Sequence, residues 1–77
     1  MVQQDREILS KNIRYLRSYY GVSRKALAKL IKMPAGRLRR VEEGDNCVEV
    51  YDFHLKRIAW VLGVCMDELL QDTLGTA

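Results

Sequence analysis

Pro34, the only proline in the chain, divides two short apolar-periodic stretches, and no other position limits the architecture as much. Ahead of it, Ser23 is a suitable N-cap for a helix whose buried face would come from Leu27, Leu30 and Ile31, with Ala28 small enough for close packing. That helix must stop near Lys32, because proline disfavours helical geometry in the preceding Met33. At a first helical turn the missing proline N–H is harmless and its fixed φ is suitable, so a new helix can begin at Pro34. Leu38 and Val41, spaced i and i+3, give it an apolar edge, and Gly44 is a stop signal after Glu43. The result is a pair of short helices joined by about three residues.

The remaining segments follow the same period. Between Asp5 and Tyr20, Leu9, Ile13, Leu16 and Tyr20 fall on one helical stripe, which Gly21 ends. "DNCVEV" reads as a loop. A fourth helix is expected from about Asp52, taken as its N-cap, through Leu55, Ile58, Ala59 and Leu62 to Gly63. Cys65 begins a short fifth, "MDELL", with Asp67 and Glu68 placed favourably in its first turn. The tail "QDTLGTA" is expected to fray. The fold class is therefore all-α, a five-helix bundle. Its 77 residues leave no room for a second domain, so residues 1–77 are one unit with a folded core over about 5–71.

Composition removes several function classes. With 48% apolar and 30% charged residues the chain suits a small globule rather than a disordered tail. The longest apolar run, "IAWVLGVCM", is about half the roughly 20 residues a bilayer span requires. "MVQQDREILS" carries Asp5, Arg6 and Glu7 where a secretory signal needs an apolar stretch, which points to a cytoplasmic protein in a reducing compartment. Cys47, Cys65 and His54 cannot complete a four-ligand zinc site, so both cysteines read as ordinary thiols, and His54, with no evident acid, base or nucleophile partner in sequence, reads as helix surface. Tyr15, Tyr19, Tyr20, Tyr51, Phe53 and Trp60 read as core and dimer-contact residues. No nucleotide loop or metal set is present, so neither an enzyme nor a cofactor nor a small-molecule ligand is expected.

The formal charge of +3 conceals a division. Residues 1–43 hold 11 Lys or Arg against 4 Asp or Glu, a formal +7, whereas residues 44–77 hold 2 against 6, a formal −4. One end of the molecule is thus suited to an anionic partner such as nucleic acid. On a helical wheel with Leu38 and Val41 turned inward, the opposite direction holds Gly36, Arg39, Arg40 and Glu43, with Arg37 on one flank and Ala35 on the other. Glu42 falls near the buried edge.

From Leu16 to Gly44 the sequence "LRSYYGVSRKALAKLIKMPAGRLRRVEEG" resembles the Cro/repressor-type (XRE-like) helix-turn-helix family, without insertion or gap. "IAWVLGVCMDELL" is similar to that family's fourth and fifth helices, so the likeness spans roughly residues 8 to 71. It implies a lambda-repressor-like DNA-binding domain with the helix-turn-helix at 23–43. It further implies a transcriptional regulator, most simply a repressor of the kind carried by prophages, mobile elements or antitoxin modules. Such a regulator binds double-stranded DNA as a homodimer on a two-fold related operator.

Three positions depart from the family pattern: Lys32 replaces the turn glycine, Pro34 the usual Ser or Thr, and Arg24 the frequent Gln. Ala35 and Gly36 stand where relatives place base-reading side chains, so Ala35 offers a contact to a thymine methyl and Gly36 a close backbone approach. Arg40 matches a base-reading position and arginine suits the two major-groove acceptors of guanine. Arg37, Arg39, Arg24 and Lys25 are assigned to phosphates. The likeness pairs Arg17 with Glu42 between the first and third helices, and places the dimer contact on Trp60, Val64, Met66, Leu69 and Leu70. Asp45 and Asn46 occupy a loop where relatives favour a basic residue. With Ala35 and Gly36, they keep a second reading open: a protein-interaction module of the same fold with weak or non-specific DNA binding.

Overall fold

A computed structural model describes residues 5–72, and their only regular elements are five helices. The first, α1 (Arg6–Tyr20), opens where the Asp5 carboxylate accepts from the backbone N–H groups of Glu7 and Ile8, and closes at Gly21 in the left-handed region at φ 69°. Ser23 Oγ accepts from Ala26 N at 3.0 Å and starts α2 (Arg24–Ile31). These caps satisfy backbone donors that the helix itself cannot. The next helix, α3, spans Ala35–Glu42, one residue later than expected. Pro34 occupies the cap position, and its carbonyl accepts the first helical hydrogen bond from Leu38 N.

Between α2 and α3 the chain turns through Lys32, at φ 58° and ψ 45°, the one described non-glycine residue with positive φ. Lys32 N and Met33 N bond back to Lys29 O and Ala28 O, closing the helix as a glycine would. Met33 itself is buried, so the tight turn is anchored in the core. Because the connection is so short, α3 is set against both α1 and α2.

After α3 the chain passes through Gly44 and a loop to α4 (Asp52–Leu62) and the single turn α5 (Met66–Leu69). Tyr51, not Asp52, holds the cap position of α4. The loop is no loose connector, since Val48 and Val50 are buried and Arg6 Nη1 donates to the carbonyls of Asp45 and Val48 at 2.9 and 2.7 Å. Leu9, Ile13, Leu16, Leu27, Ile31, Leu38, Val41, Leu55, Ile58, Leu62 and Leu69 close one continuous core. Each such side chain contributes on the order of 1.5–3 kcal/mol by leaving water.

Several sequence expectations fail at the edges of this core. Leu30 is 59% exposed, because Leu27, Ala28 and Ile31 define the inward direction of α2 and Leu30 lies about a quarter turn from it. Tyr20 keeps the stripe's register but is the last residue of α1, exposed, with its phenol beside Gly63 at the end of α4. Tyr15, Tyr19, Tyr51 and Phe53 are likewise exposed rather than core, and Trp60, assigned to a dimer contact, is exposed as well. They form surface groups instead: Tyr19 packs edge-on to Tyr20 at 4.9 Å, and Phe53 lies beside Tyr51 beneath the Arg57 guanidinium.

His54, expected on the helix surface, is buried, and its Nδ1 accepts from Tyr51 N at 3.1 Å. It serves α4 as a glutamate serves a capping box. Asn12, which periodicity gave no reason to single out, is fully buried and donates to the carbonyls of Leu69 and Gln71. It is the tie that holds α5 against α1.

Two outcomes follow from these local geometries. Lys32→Gly removes a left-handed side chain and is expected to raise the unfolding free energy by about 1 kcal/mol, read as a higher urea midpoint at unchanged slope. Burial, with Arg37 and Arg57 nearby, holds His54 below the ordinary histidine range. The unfolded chain therefore binds a proton that the native ring resists, so stability should be full above about pH 6.5 and decline as pH falls below it. His54→Gln keeps an acceptor for Tyr51 N and should flatten that decline in urea titrations between about pH 5 and 7.

Candidate nucleic-acid interface

The rotation of α3 about its axis is set by Leu38 and Val41, both fully buried, together with one carboxylate. Glu42 lies beside Leu38 and Val41 on the buried side with its side chain only 1% exposed, a position that is costly for an unpaired charge. Arg17 meets it with both arms of its guanidinium: Nε donates to Oε2 and Nη2 to Oε1, each at 2.8 Å, while Nη1 donates to Val22 O. This two-point arrangement joins α1 to α3 in the pairing the sequence suggested. Arg24, assigned to phosphates from sequence, also reaches this carboxylate: its Nε donates to Glu42 Oε1 at 3.3 Å while its side chain stays 40% exposed. The buried carboxylate draws in the nearest second cation.

With that side fixed, Pro34, Ala35, Gly36, Arg37, Arg39 and Arg40 all reach the surface. A Cβ built on Gly36 would meet nothing within 4 Å, and its φ is not positive, so the fold itself places no demand for glycine there. Pro34 supplies no side-chain cap, which leaves the first amides of α3 directed outward from an uncapped end. Ala35 and Gly36 thus present a flat, backbone-accessible start to the helix.

The arginines beyond them are exposed, yet each already holds an acceptor. Arg39 Nε lies 3.5 Å from Glu43 Oε2 one turn on, and Arg37 Nη2 donates to Glu49 O at 3.0 Å. Arg40 donates through Nε to Asp45 Oδ2 at 2.9 Å, with Nη2 at the same distance from that oxygen. The Cys47 backbone N–H, followed by the Arg40 guanidinium, holds the Asp45 carboxyl below the usual carboxylate range. By contrast, Lys25, Lys29 and Lys32 are exposed and have no salt-bridge partner among the described residues. The patch is basic overall but partly neutralised at its centre.

The residues expected at a dimer contact do not all share a surface. Trp60 is 84% exposed, and Val64, Met66 and Leu70 are half-buried against the core. Leu69 is fully buried, because the single turn of α5 directs it inward where Asn12 binds its carbonyl. It is removed from the candidate contact. The Tyr15, Tyr19 and Tyr20 group gives the exposed aromatic surface another segment that sequence reading had placed partly in the core.

Among the described residues no group of three or more His, Cys, Asp or Glu is placed to hold a metal ion, and Cys47 and Cys65 are free and exposed. No helix among them is long and apolar enough to cross a membrane. Asp45 as the partner of Arg40 escaped the sequence reading, although acidic residues directly after a helix ending in arginines were the available signal. No family model, curated protein or solved structure matches the chain.

The Arg17–Glu42 pair gives a direct test of this construction. Arg17→Met leaves a buried carboxylate that only Arg24 can approach, and should cost about 3 kcal/mol of stability in urea unfolding. Adding Glu42→Leu removes the stranded charge and should restore most of that loss.

Proposed function

We propose that this protein is a DNA-binding transcriptional regulator with a Cro/repressor-type helix-turn-helix, in which α3 enters the major groove. The observation that carries the reading is the two-sidedness of α3: Leu38, Val41 and Glu42 are buried while Arg37, Arg39 and Arg40 stand exposed behind the flat Ala35–Gly36 start. A helix end without bulky side chains lets backbone and arginines approach base edges closely. Lys25 and Lys29 on α2, with Lys32 in the turn that follows it, are exposed and supply positive charge without a salt-bridge partner among the described residues for phosphates. Arg24, spent on Glu42, contributes less to that set than its position in sequence suggests.

One domain of this size covers a half-site, so the reading includes a homodimer on a two-fold related duplex. Trp60, Val64, Met66 and Leu70 provide apolar surface for that contact, at the end of α4 and in α5. The acidic C-terminal third then lies away from the phosphates.

A second reading, a protein-interaction module of the same fold, is favoured by one observation: Arg37, Arg39 and Arg40 are each engaged within the chain. Selection from random duplex DNA followed by salt titration separates the two. The DNA reading expects a palindromic winner and a steep salt slope, about 0.9 log–log units for each phosphate contact. It also expects Arg40→Ala to cost about 1 to 3 kcal/mol on the winning sequence and to relax preference at one base pair. Weak retention that ignores sequence would leave the protein-interaction reading in its place.

A further inference from the structure

Asp45 is held more firmly than an ordinary surface carboxylate. Its backbone N–H donates to Arg40 O at 3.1 Å, its Oδ1 accepts from Cys47 N at 2.8 Å, and its carbonyl accepts from Arg6 Nη1 at 2.9 Å. Arg6 in turn also grips Val48 O, and Val48 is core, so the loop bearing Asp45 is anchored from below. The remaining oxygen, Oδ2, faces Arg40 Nε and Nη2, each at 2.9 Å. An isolated surface pair gains little because two long side chains must be ordered to form it. Here one partner is already fixed by three backbone-directed bonds, which leaves only the arginine to be ordered.

We propose that Asp45 is a built-in counter-anion for Arg40, occupying the guanidinium in the free protein and setting how strongly, and with what salt response, that arginine engages nucleic acid. The inference rests on the DNA-binding reading above. Before Arg40 reaches a base or phosphate it must leave Oδ2, and Asp45 is then left as an unpaired negative charge beside a polyanion. Both steps weaken binding. They also change its salt dependence. An arginine neutralised in advance exchanges one anion for another, and the stranded carboxylate takes up a cation that offsets one of those released from DNA.

Asp45→Asn isolates this effect because asparagine retains an oxygen for Cys47 N and every backbone bond of the loop. Binding to the selected duplex should be measured by fluorescence anisotropy from about 50 to 300 mM salt for four proteins: wild type, Asp45→Asn, Arg40→Ala and the double variant. Asp45→Asn is expected to bind about three- to ten-fold tighter at low salt and to steepen the log–log salt slope by up to about 0.9. In the Arg40→Ala background, where only the repulsion between Asp45 and the duplex is relieved, the same substitution should strengthen binding by a clearly smaller factor and steepen the slope less. Additive affinity changes with equal slopes in both backgrounds would overturn the counter-anion role while leaving DNA binding intact. Failure of all four proteins to bind any duplex sinks the DNA reading, and this inference with it.

Discussion

Glu42 is a carboxylate placed where water cannot solvate it, on a helix whose other side carries three arginines. Stranded, it would cost several kcal/mol, a large share of what a domain of this size has in reserve. Arg17 on α1 and Arg24 on α2 converge on it, so one buried charge links three helices. Rotating α3 by a quarter turn would expose Leu38 and break both arms of the Arg17 fork. The orientation of the arginine-rich surface is therefore inherited from a contact on the opposite side of the helix.

The helices themselves were legible because their signals are local. Ser23, Gly21 and Gly63 act within one turn of their own positions, and the i, i+3 and i+4 spacing of leucines and isoleucines survives any tertiary arrangement. Legibility fails where a residue's fate is decided by something distant in sequence. Leu30 and Trp60 are apolar but unopposed, His54 is polar but answers an amide three residues back, and Asn12 answers carbonyls that belong to the far end of the chain. The candidate site divides in the same way. That Arg37, Arg39 and Arg40 face outward follows from the wheel alone, whereas the contact of Arg24 with Glu42 depends on how α2 packs against α3, and the capture of Arg40 by Asp45 on where the α3–α4 loop comes to rest.

Three local preferences are contradicted within five consecutive residues, 32–36. Lys32 adopts a backbone region suited to glycine, Pro34 stands at a cap position without a capping side chain, and Gly36 sits in a helix that has room for alanine. Each costs a fraction of a kcal/mol to about 2 kcal/mol, and at Gly36 a Cβ would meet nothing within 4 Å, so packing gives no reason for that glycine. Departures of this kind concentrate at functional sites, where selection acts on what the surface touches rather than on stability. Their position at the exposed start of α3 coincides with the proposed interface.

The Asn12 side chain reaches the carbonyls of Leu69 and Gln71 across 57 and 59 positions of sequence. A chain made from its N-terminus completes α1 long before those carbonyls exist. Until they do, Asn12 is hydrated and the apolar stripe of Leu9 and Ile13 lacks the element that covers one end of it. Closure of the bundle thus waits for almost the whole described chain to be synthesised. The turn that carries Leu69 is the piece that completes the burial of Asn12 on α1.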